Sequence, residues 1–356
     1  MSGHPHGNGR INDTYLVIRQ AGQDEWRYLL QRINPLVFQQ PELVMQNIRC
    51  ITRHLRRALE KRGFPEAERR CLQLISARDG HSFHRDPRGD CWRSYRFIER
   101  ARTWDTLETE EQAYAVAKCF GDFQYALLDL PAERLKETIP DFHHTPKHYQ
   151  RFQQELARDP CGRAAGAHAE IEFAKRNRAL ANILQTLRDG GEVPLRITHN
   201  DTKLNNVLFD TETSRALCVV DLDTVMPGLS LYDFGDLVRS GTNRAGEEAL
   251  DPSSVSMHMP FFEALAEGYL AATQGMMNQI EAEHLAIAGP CIAYELGLRF
   301  LTDYLVGDVY FKTQKETQNL ARSRVQFKLV ESMLLQHEAM ARTVARIWQR
   351  GARDRI

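Results

Sequence analysis

The sequence predicts an α+β chain in two lobes, a small β-rich N-terminal lobe and a larger, mainly helical C-terminal lobe. Three observations carry this. Runs of β-branched and aromatic residues, separated by Gly, Asn and Pro turns, recur at 7–35 and 71–99 around one helical segment. Helical spacing of apolar residues dominates after Glu99. At 356 residues the chain exceeds one ordinary compact domain, and with 42% apolar residues it can bury a core in each of two. The boundary falls in the segment 96–100, giving lobes at 1–98 and 99–356.

The elements follow in order. Gly7, Gly9 and Asn12 supply a turn. INDTYLVIRQ (11–20) reads as a strand, AGQDE as a turn and WRYLLQRIN (26–34) as a second strand. From Pro41 to Arg62 the apolar residues Leu43, Val44, Ile48, Ile51, Leu55 and Leu59 recur at helical spacing. CLQLISARDG (71–80) and CWRSYRFIE (91–99) read as strands around the turn HRDPRGD. Beyond them, helices are predicted at Glu108–Asp129, Thr145–Ala157, Ala167–Leu187, Phe261–Ala272, Glu281–Val306 and about Arg322–Arg350. One β island, LRITHNDTKLNNVLFD with RALCVVDLDTV, interrupts them.

Composition excludes several classes. The 46 basic and 47 acidic residues leave a net charge of −1, without the excess that nucleic acid or anionic membrane would select. No apolar run approaches the ~18 residues of a membrane span, and the N-terminal MSGHPHGNGRIND lacks the apolar core of a secretory signal. Seven cysteines are scattered without a Cys-x-x-Cys pair, which points to structural thiols in a reducing cytoplasm rather than to zinc. A monomer or weak homodimer is expected, with small molecules as partners.

The chemistry concentrates in His199-Asn200-Asp201-Thr202-Lys203-Leu204-Asn205-Asn206. Read as H-x-D-x-K-x-x-N, it matches the catalytic loop of kinases in residue type and spacing. A hydroxyl acceptor needs a carboxylate to orient it and take its proton, and Asp201 fills that role. Lys203 can neutralise charge on the transferring phosphoryl group. Asn206 offers a neutral oxygen to Mg²⁺. Val219-Val220-Asp221-Leu222-Asp223 follows, an apolar run ending in acids, with Asp221 20 positions after Asp201. Asp221 is the second metal ligand, and Asp223 either a further ligand or an outer acceptor. A solvated strand-turn-strand would not explain four matched residue types at two matched spacings. Asp233-Phe234-Gly235 spells a kinase metal motif too, but its acid lies 32 positions past Asp201. Asp233 reads instead as a helix N-terminal acid bracing the catalytic loop, and His199 as packing beneath it. Together these residues predict a bilobal protein-kinase-like fold using ATP and Mg²⁺.

THNDTKLNNVLFD with VVDLDTVMPGLSLYDFGD resembles the aminoglycoside-phosphotransferase superfamily. Within it the chain is similar to bacterial N-acetylhexosamine 1-kinases, a resemblance that also takes in GRINDTYLV, YRFIE, FGDFQ, IPDFHHTP and LRFLTDYLVGDVYF. The resemblance implies phosphorylation of the anomeric hydroxyl of N-acetylglucosamine or N-acetylgalactosamine, with Asp201 as base and Asn206 and Asp221 as metal ligands. There are two departures from the wider kinase pattern. Tyr28-Leu29-Leu30-Gln31-Arg32 lacks the usual phosphate-binding lysine, so either Arg32 or Gln31 replaces it or the role is absent. The chain also begins almost at its Gly-rich turn, so the strand that normally precedes that turn is expected to be short or missing.

The remaining candidates are weaker. Gly9 and Asn12 could offer contacts to phosphate, although Gly and Asn also make plain turns. The segment Arg96–Glu99, with Phe97 and Glu99, is the expected adenine-side strand. Glu295, Arg299 and Asp303 recur every four residues on an otherwise apolar helix, so Arg299 and Asp303 are expected to line the acceptor pocket rather than merely pair with one another. His143, His144 and His148 are better read as residues beside a helix start than as metal ligands. The basic C-terminal run ARTVARIWQRGARDRI reads as a solvated closing helix.

Overall fold

A computed structural model describes residues 2–7, 11–61, 63, 66–249 and 251–353. Its chain divides into two compact units. The first comprises residues 1–103, 126–140 and 206–227; the second comprises 104–125, 141–205 and 228–356.

The first unit is built on an antiparallel sheet. Strands β1 (Ser2–Pro5), β2 (Asp13–Ala21), β3 (Asp24–Arg32) and β6 (Cys91–Arg96) lie side by side, with β4 (Leu74–Ile75) and β5 (His84–Arg85) both on the far edge of β6. The β2–β3 hairpin runs in register from Asp13 opposite Arg32 to Ala21 opposite Asp24. Its turn places Gly22 at φ 68°, a left-handed conformation that glycine adopts without strain. The strand expected to be short or missing is present and short: the four residues Ser2–Pro5 pair with Tyr15–Ile18. The segment 71–80, read as one strand, forms only the two-residue β4, and the predicted turn 84–90 begins with β5. Polar groups in SARDGHS form a local turn, with Ala77 donating to the His81 carbonyl and Gly80 to that of Ala77.

Helix α1 (Pro41–Lys61) starts on proline, whose missing N–H costs nothing in the first turn. Its apolar stripe of Val44, Met45, Ile48, Ile51 and Leu55 is buried. Buried Asn47 interrupts the stripe for a reason. Its amide donates to the carbonyls of Val225 and Lys136 at 3.0 and 2.7 Å, and its oxygen accepts from Lys136 N–H at 2.8 Å. A small sheet of β7 (Ala101–Arg102), β9 (Val207–Asp210) and β10 (Ala216–Val219) completes the unit. Arg69 pins its end, donating to Asp210 at 2.7 Å and to the carbonyls of Glu99 and Arg100.

The second unit is helical: α2 (Glu110–Ala126, its last residue excepted), α3 (Thr145–Arg158), α4 (His168–Arg176), α5 (Leu180–Asp189), α6 (Ser230–Gly241), α7 (Met259–Thr273), α8 (Gln279–Leu305), α9 (Gln318–Leu335) and α10 (His337–Arg353), with the short strand β8 (Arg196–Thr198). Two predicted long helices are each broken in two. The 167–187 pattern breaks at Asn177-Arg178-Ala179, where the Asn177 amide turns back to the Phe173 carbonyl. The 322–350 pattern breaks at Gln336, whose side chain bonds Ser332 and the Met257 carbonyl. Helix α8 is the hub, packed by α3, α5, α6, α9 and α10. It is long and apolar enough to cross a membrane, but 83% of its most apolar window is buried within the protein. That is the pattern of a core helix.

Gly235 explains why α6 lies close to α8. A Cβ there would sit 2.6 Å from the Ala288 carbonyl oxygen and 2.7 Å from Ile292. Gly235→Ala is therefore expected to cost about 1–3 kcal/mol by overpacking, read as a lower Tm. An unchanged Tm would mean the two helices can separate freely.

Candidate active site

The catalytic loop leaves β8 through Asn200, held at φ 64°. Asparagine tolerates that left-handed conformation better than most side chains. Asp233, fully buried in the first turn of α6, holds the loop in place. Its Oδ1 accepts from the Asn200 N–H at 2.7 Å, and its Oδ2 from the His199 N–H at 2.9 Å and Gln124 at 2.5 Å. The Thr202 hydroxyl donates to the Asp233 carbonyl at 2.7 Å. Burial pushes the Asp233 carboxyl above the usual range, and these amide bonds offset part of that cost. Asp233 thus has the bracing role read from its spacing. His199 is fully buried against the rings of Phe120 and Phe123, at 5.2 and 5.9 Å.

Asp201 follows this anchored turn, with Lys203 Nζ 2.8 Å from its Oδ1. Burial acts to raise the Asp201 carboxyl, but Lys203, with smaller help from His199 and Arg239, outweighs it. The carboxyl sits below its ordinary range and is ionised at neutral pH. Behind the pair, the Arg239 Nε donates to Asp236 Oδ1 at 2.7 Å, and Glu247 lies 3.6 Å from the same guanidinium. Burial works against the Lys203 ammonium, but Asp201, with smaller help from Glu247 and Asp236, outweighs it and raises its pKa.

The metal-binding candidates lie together in the first unit. The Val220 N–H donates to the Asn206 carbonyl at 2.9 Å, which places Asp221 beside Asn206. Asp221 is exposed and left-handed, at φ 58°. A carboxylate and an amide oxygen are hard donors of the kind that Mg²⁺ takes, with phosphate and water completing its shell. Asp223 is different. It is buried, its Oδ2 accepting from Asn12 at 2.7 Å and its Oδ1 paired with Arg93. Thr138 further fixes its carbonyl at 2.9 Å. Both carboxylate oxygens are already engaged within the protein, an arrangement that suits the outer-acceptor role of the two expected for Asp223.

Arg93 corrects another expectation. Arg32 does not replace the missing lysine: its guanidinium is bound by Asp13 and Asp90 at 2.5 and 3.2 Å. Arg32 pairs across the sheet with Trp92, and Gln31 with Arg93, so the two pairs point to opposite faces. The cation on the Asp223 side is Arg93, which is buried and also donates to Gln31 at 3.0 Å. Asn12 additionally accepts from the Asn34 N–H at 3.0 Å, while Gly9 lies outside the described residues. At the end of β6, Phe97 packs against His6 and Arg27, and Glu99 pairs with Arg27 at 3.4 Å.

The stripe on α8 separates into different roles. Glu295 is buried, its Oε1 2.9 Å from His143 Nδ1 and its Oε2 accepting from Thr145 at 2.6 Å. Arg299 lies 4.0 Å from Glu295, among the rings of Phe142, Tyr310 and Phe311 at 5.0–5.8 Å. Asp303 does not line a pocket. Its carboxylate accepts the N–H groups of Val309, Tyr310 and Phe311 and the Asn319 amide, at 2.9–3.0 Å, and so anchors the loop that carries two of those rings.

The sequence reading missed Arg93, Asp236, Arg239 and the His143–Glu295 pair. For Asp236 and Arg239 the signal was present, an acid and a base three apart on one helix. Arg93 had none, because a strand pattern shows which face a residue takes but not which distant acid it meets.

A family model described as the phosphotransferase enzyme family matches residues 2–277. Solved structures share the fold at low identity. The choline kinase of Cryptosporidium parvum Iowa II superposes with a TM-score of 0.58 at 14% identity, covering 95% of this chain and 91% of that one. An ethanolamine kinase of Plasmodium vivax gives 0.57 at 12%, covering 92% and 81%. A spectinomycin phosphotransferase in complex with ADP and spectinomycin gives 0.52 at 15%, covering 95% and 92%.

Proposed function

Since the chain belongs to the phosphotransferase enzyme family and is a small-molecule kinase with an alcohol group as acceptor, we propose that it transfers the γ-phosphate of ATP to the anomeric hydroxyl of an N-acetylhexosamine. The observation that carries the acceptor class is Arg299. A guanidinium set among three aromatic rings, one contact away from the buried Glu295, suits a neutral acceptor with a carbonyl to receive its N–H groups. It opposes a cationic amino alcohol. The acid it contacts, Glu295, is already bound by His143 and Thr145. The THNDTKLNN and DLDTVMPG strings support the same acceptor.

In this reading Asp201 orients the sugar hydroxyl and accepts its proton as the oxygen bonds to the γ-phosphorus, whose bond to the bridging oxygen breaks to release ADP. Lys203 holds Asp201 ionised and offsets charge on the phosphoryl oxygens. Asn206 and Asp221 would hold Mg²⁺, which supplies charge neutralisation on the phosphates when bound. Asp223 stays outside that shell, fixing the strand end through Arg93 and Asn12. An anomeric hydroxyl is more acidic than an ordinary alcohol, so a carboxylate suffices as base.

The test is ADP release from Mg²⁺-ATP with N-acetylglucosamine, N-acetylgalactosamine, choline, ethanolamine and spectinomycin, with phosphorus NMR of the product. An anomeric phosphate from one of the sugars is expected. Turnover of an amino alcohol or spectinomycin alone would replace the sugar with another small hydroxyl acceptor.

A further inference from the structure

His143 lies just before α3 and touches the backbone of the catalytic loop. Its Nδ1 is 2.9 Å from Glu295 Oε1, and its Nε2 is 3.2 Å from the Asn200 carbonyl oxygen. A carboxylate and a backbone carbonyl are both acceptors, so both ring nitrogens must donate. An imidazole can do this only as the imidazolium. Burial acts to raise the Glu295 carboxyl, but His143, with smaller help from His148 and Arg299, outweighs it and holds it well below its usual range, so Glu295 is an ionised acceptor that also takes the Thr145 hydroxyl. The ring is nearly sealed from water and lies 4.8 Å from both Tyr232 and Phe142. The carbonyl it holds belongs to the peptide that joins Asn200 to Asp201, and the N–H of Asn200 is held from the other side by Asp233. The turn before Asp201 is therefore clamped twice, by an acid from α6 and by a charged ring that α8 keeps in place.

We propose that His143 is an imidazolium positioning residue for the phosphotransfer step: held by Glu295, it fixes the Asn200–Asp201 peptide and so aims the Asp201 carboxylate. The proposal rests on Asp201 being the catalytic base and not on which acceptor is used. Charged and titratable groups face His143 from three elements: Glu295 and Arg299 from α8, His148 from α3, and Tyr232 and Asp236 from α6. Burial opposes the charge on His143, but Glu295 outweighs it with help from Asp236, and the ring's pKa is raised from 6.5. Glu295 is held at about 2. The signs define a window. The His143 contribution is complete below its ordinary pKa and is lost as pH rises through the raised value. The Glu295 contribution is present above about 4.5 and is lost as pH falls towards about 2. The clamp is intact between those limits and fails first on the alkaline side.

Two measurements on the full-length protein test this. The first is long-range proton–nitrogen NMR of ¹⁵N-histidine-labelled protein titrated from about pH 6 to about pH 9, with His143→Gln assigning the signal. Both His143 nitrogens are expected to be protonated at about pH 7.5 and to lose that state in Glu295→Gln. A neutral His143 at that pH overturns the proposal. The second is turnover of ATP with N-acetylglucosamine, or with water if no sugar reacts, for wild type, His143→Gln, Glu295→Gln and Asp201→Asn. His143→Gln is expected to lower kcat by about 10-fold or more, as for loss of a charged hydrogen bond, with KM for ATP within about 2-fold. Glu295→Gln is expected to move the alkaline limb of kcat to lower pH. Native kcat in His143→Gln, with Asp201→Asn inactive, overturns the positioning role. Native kcat in Asp201→Asn itself removes the base assignment, and the positioning role falls with it.

Discussion

Asp201→Asn is expected to lower kcat by at least about 100-fold, the low end for removing a general base, while the Tm stays near that of the wild type. Asparagine keeps the shape of the side chain but loses both its charge and its basicity. The loop is held by bonds from Asp233 to the His199 and Asn200 amides and by Thr202, none of which involves the Asp201 carboxylate. The partner that loses most is Lys203, at 2.8 Å, whose half-exposed ammonium can turn to water. Steady-state ADP release and a melting curve, taken together, decide the matter. An Asp201→Asn protein with near-native turnover would mean that Asp201 is not the base, and a collapsed Tm would mean that its charge is structural.

Arg93→Met is expected to be the most destabilising single change in the first unit, costing about 3–5 kcal/mol, as for breaking one half of a buried ion pair. The two side chains of the pair are 1% and 3% exposed, so solvent cannot take over from the lost partner. The Asp223 carboxylate would keep its bond from Asn12 but lose its counter-charge, and Gln31 would lose the Arg93 donor. Because the chain has two units, one global unfolding midpoint would blur the effect. The measurement is hydrogen–deuterium exchange of the β3 and β6 amides, whose protection should fall by that free energy. The double variant Arg93→Met with Asp223→Leu should recover part of the loss, because no charge then remains buried. Unchanged protection in Arg93→Met would show that the pair is solvated in solution.

Much of the site was legible in the sequence because its chemistry is local. A kinase catalytic loop needs a base, a cation and a metal ligand within a few residues of one another, and the spacing from Asp201 to Lys203 and Asn206 fits the proposed roles. The acid of Asp233-Phe234-Gly235 was separable from the metal acids by its distance along the chain. The structure adds that Gly235 is there to let α6 approach α8. Helix existence was legible and helix breaks were not. Asn177 and Gln336 do not break an apolar rhythm, and they end their helices by bonds to specific neighbours.

By itself, then, the sequence determined the α+β fold class and the family of the chemistry, and it singled out residues 199–206 as the candidate catalytic loop, all of which depend on residues close in the chain. Tertiary structure alone decided where charge is stored. It assigned Arg32 to a surface cluster and Arg93 to the buried acid, turned Asp303 into a loop anchor, engaged both carboxylate oxygens of Asp223 within the protein, and set His143 between Glu295 and the catalytic loop. The physical reason is that burying a charge is costly unless a partner is within hydrogen-bond reach. That partner comes from 130 residues away for Arg93 and 152 for His143, a pairing that no local pattern encodes.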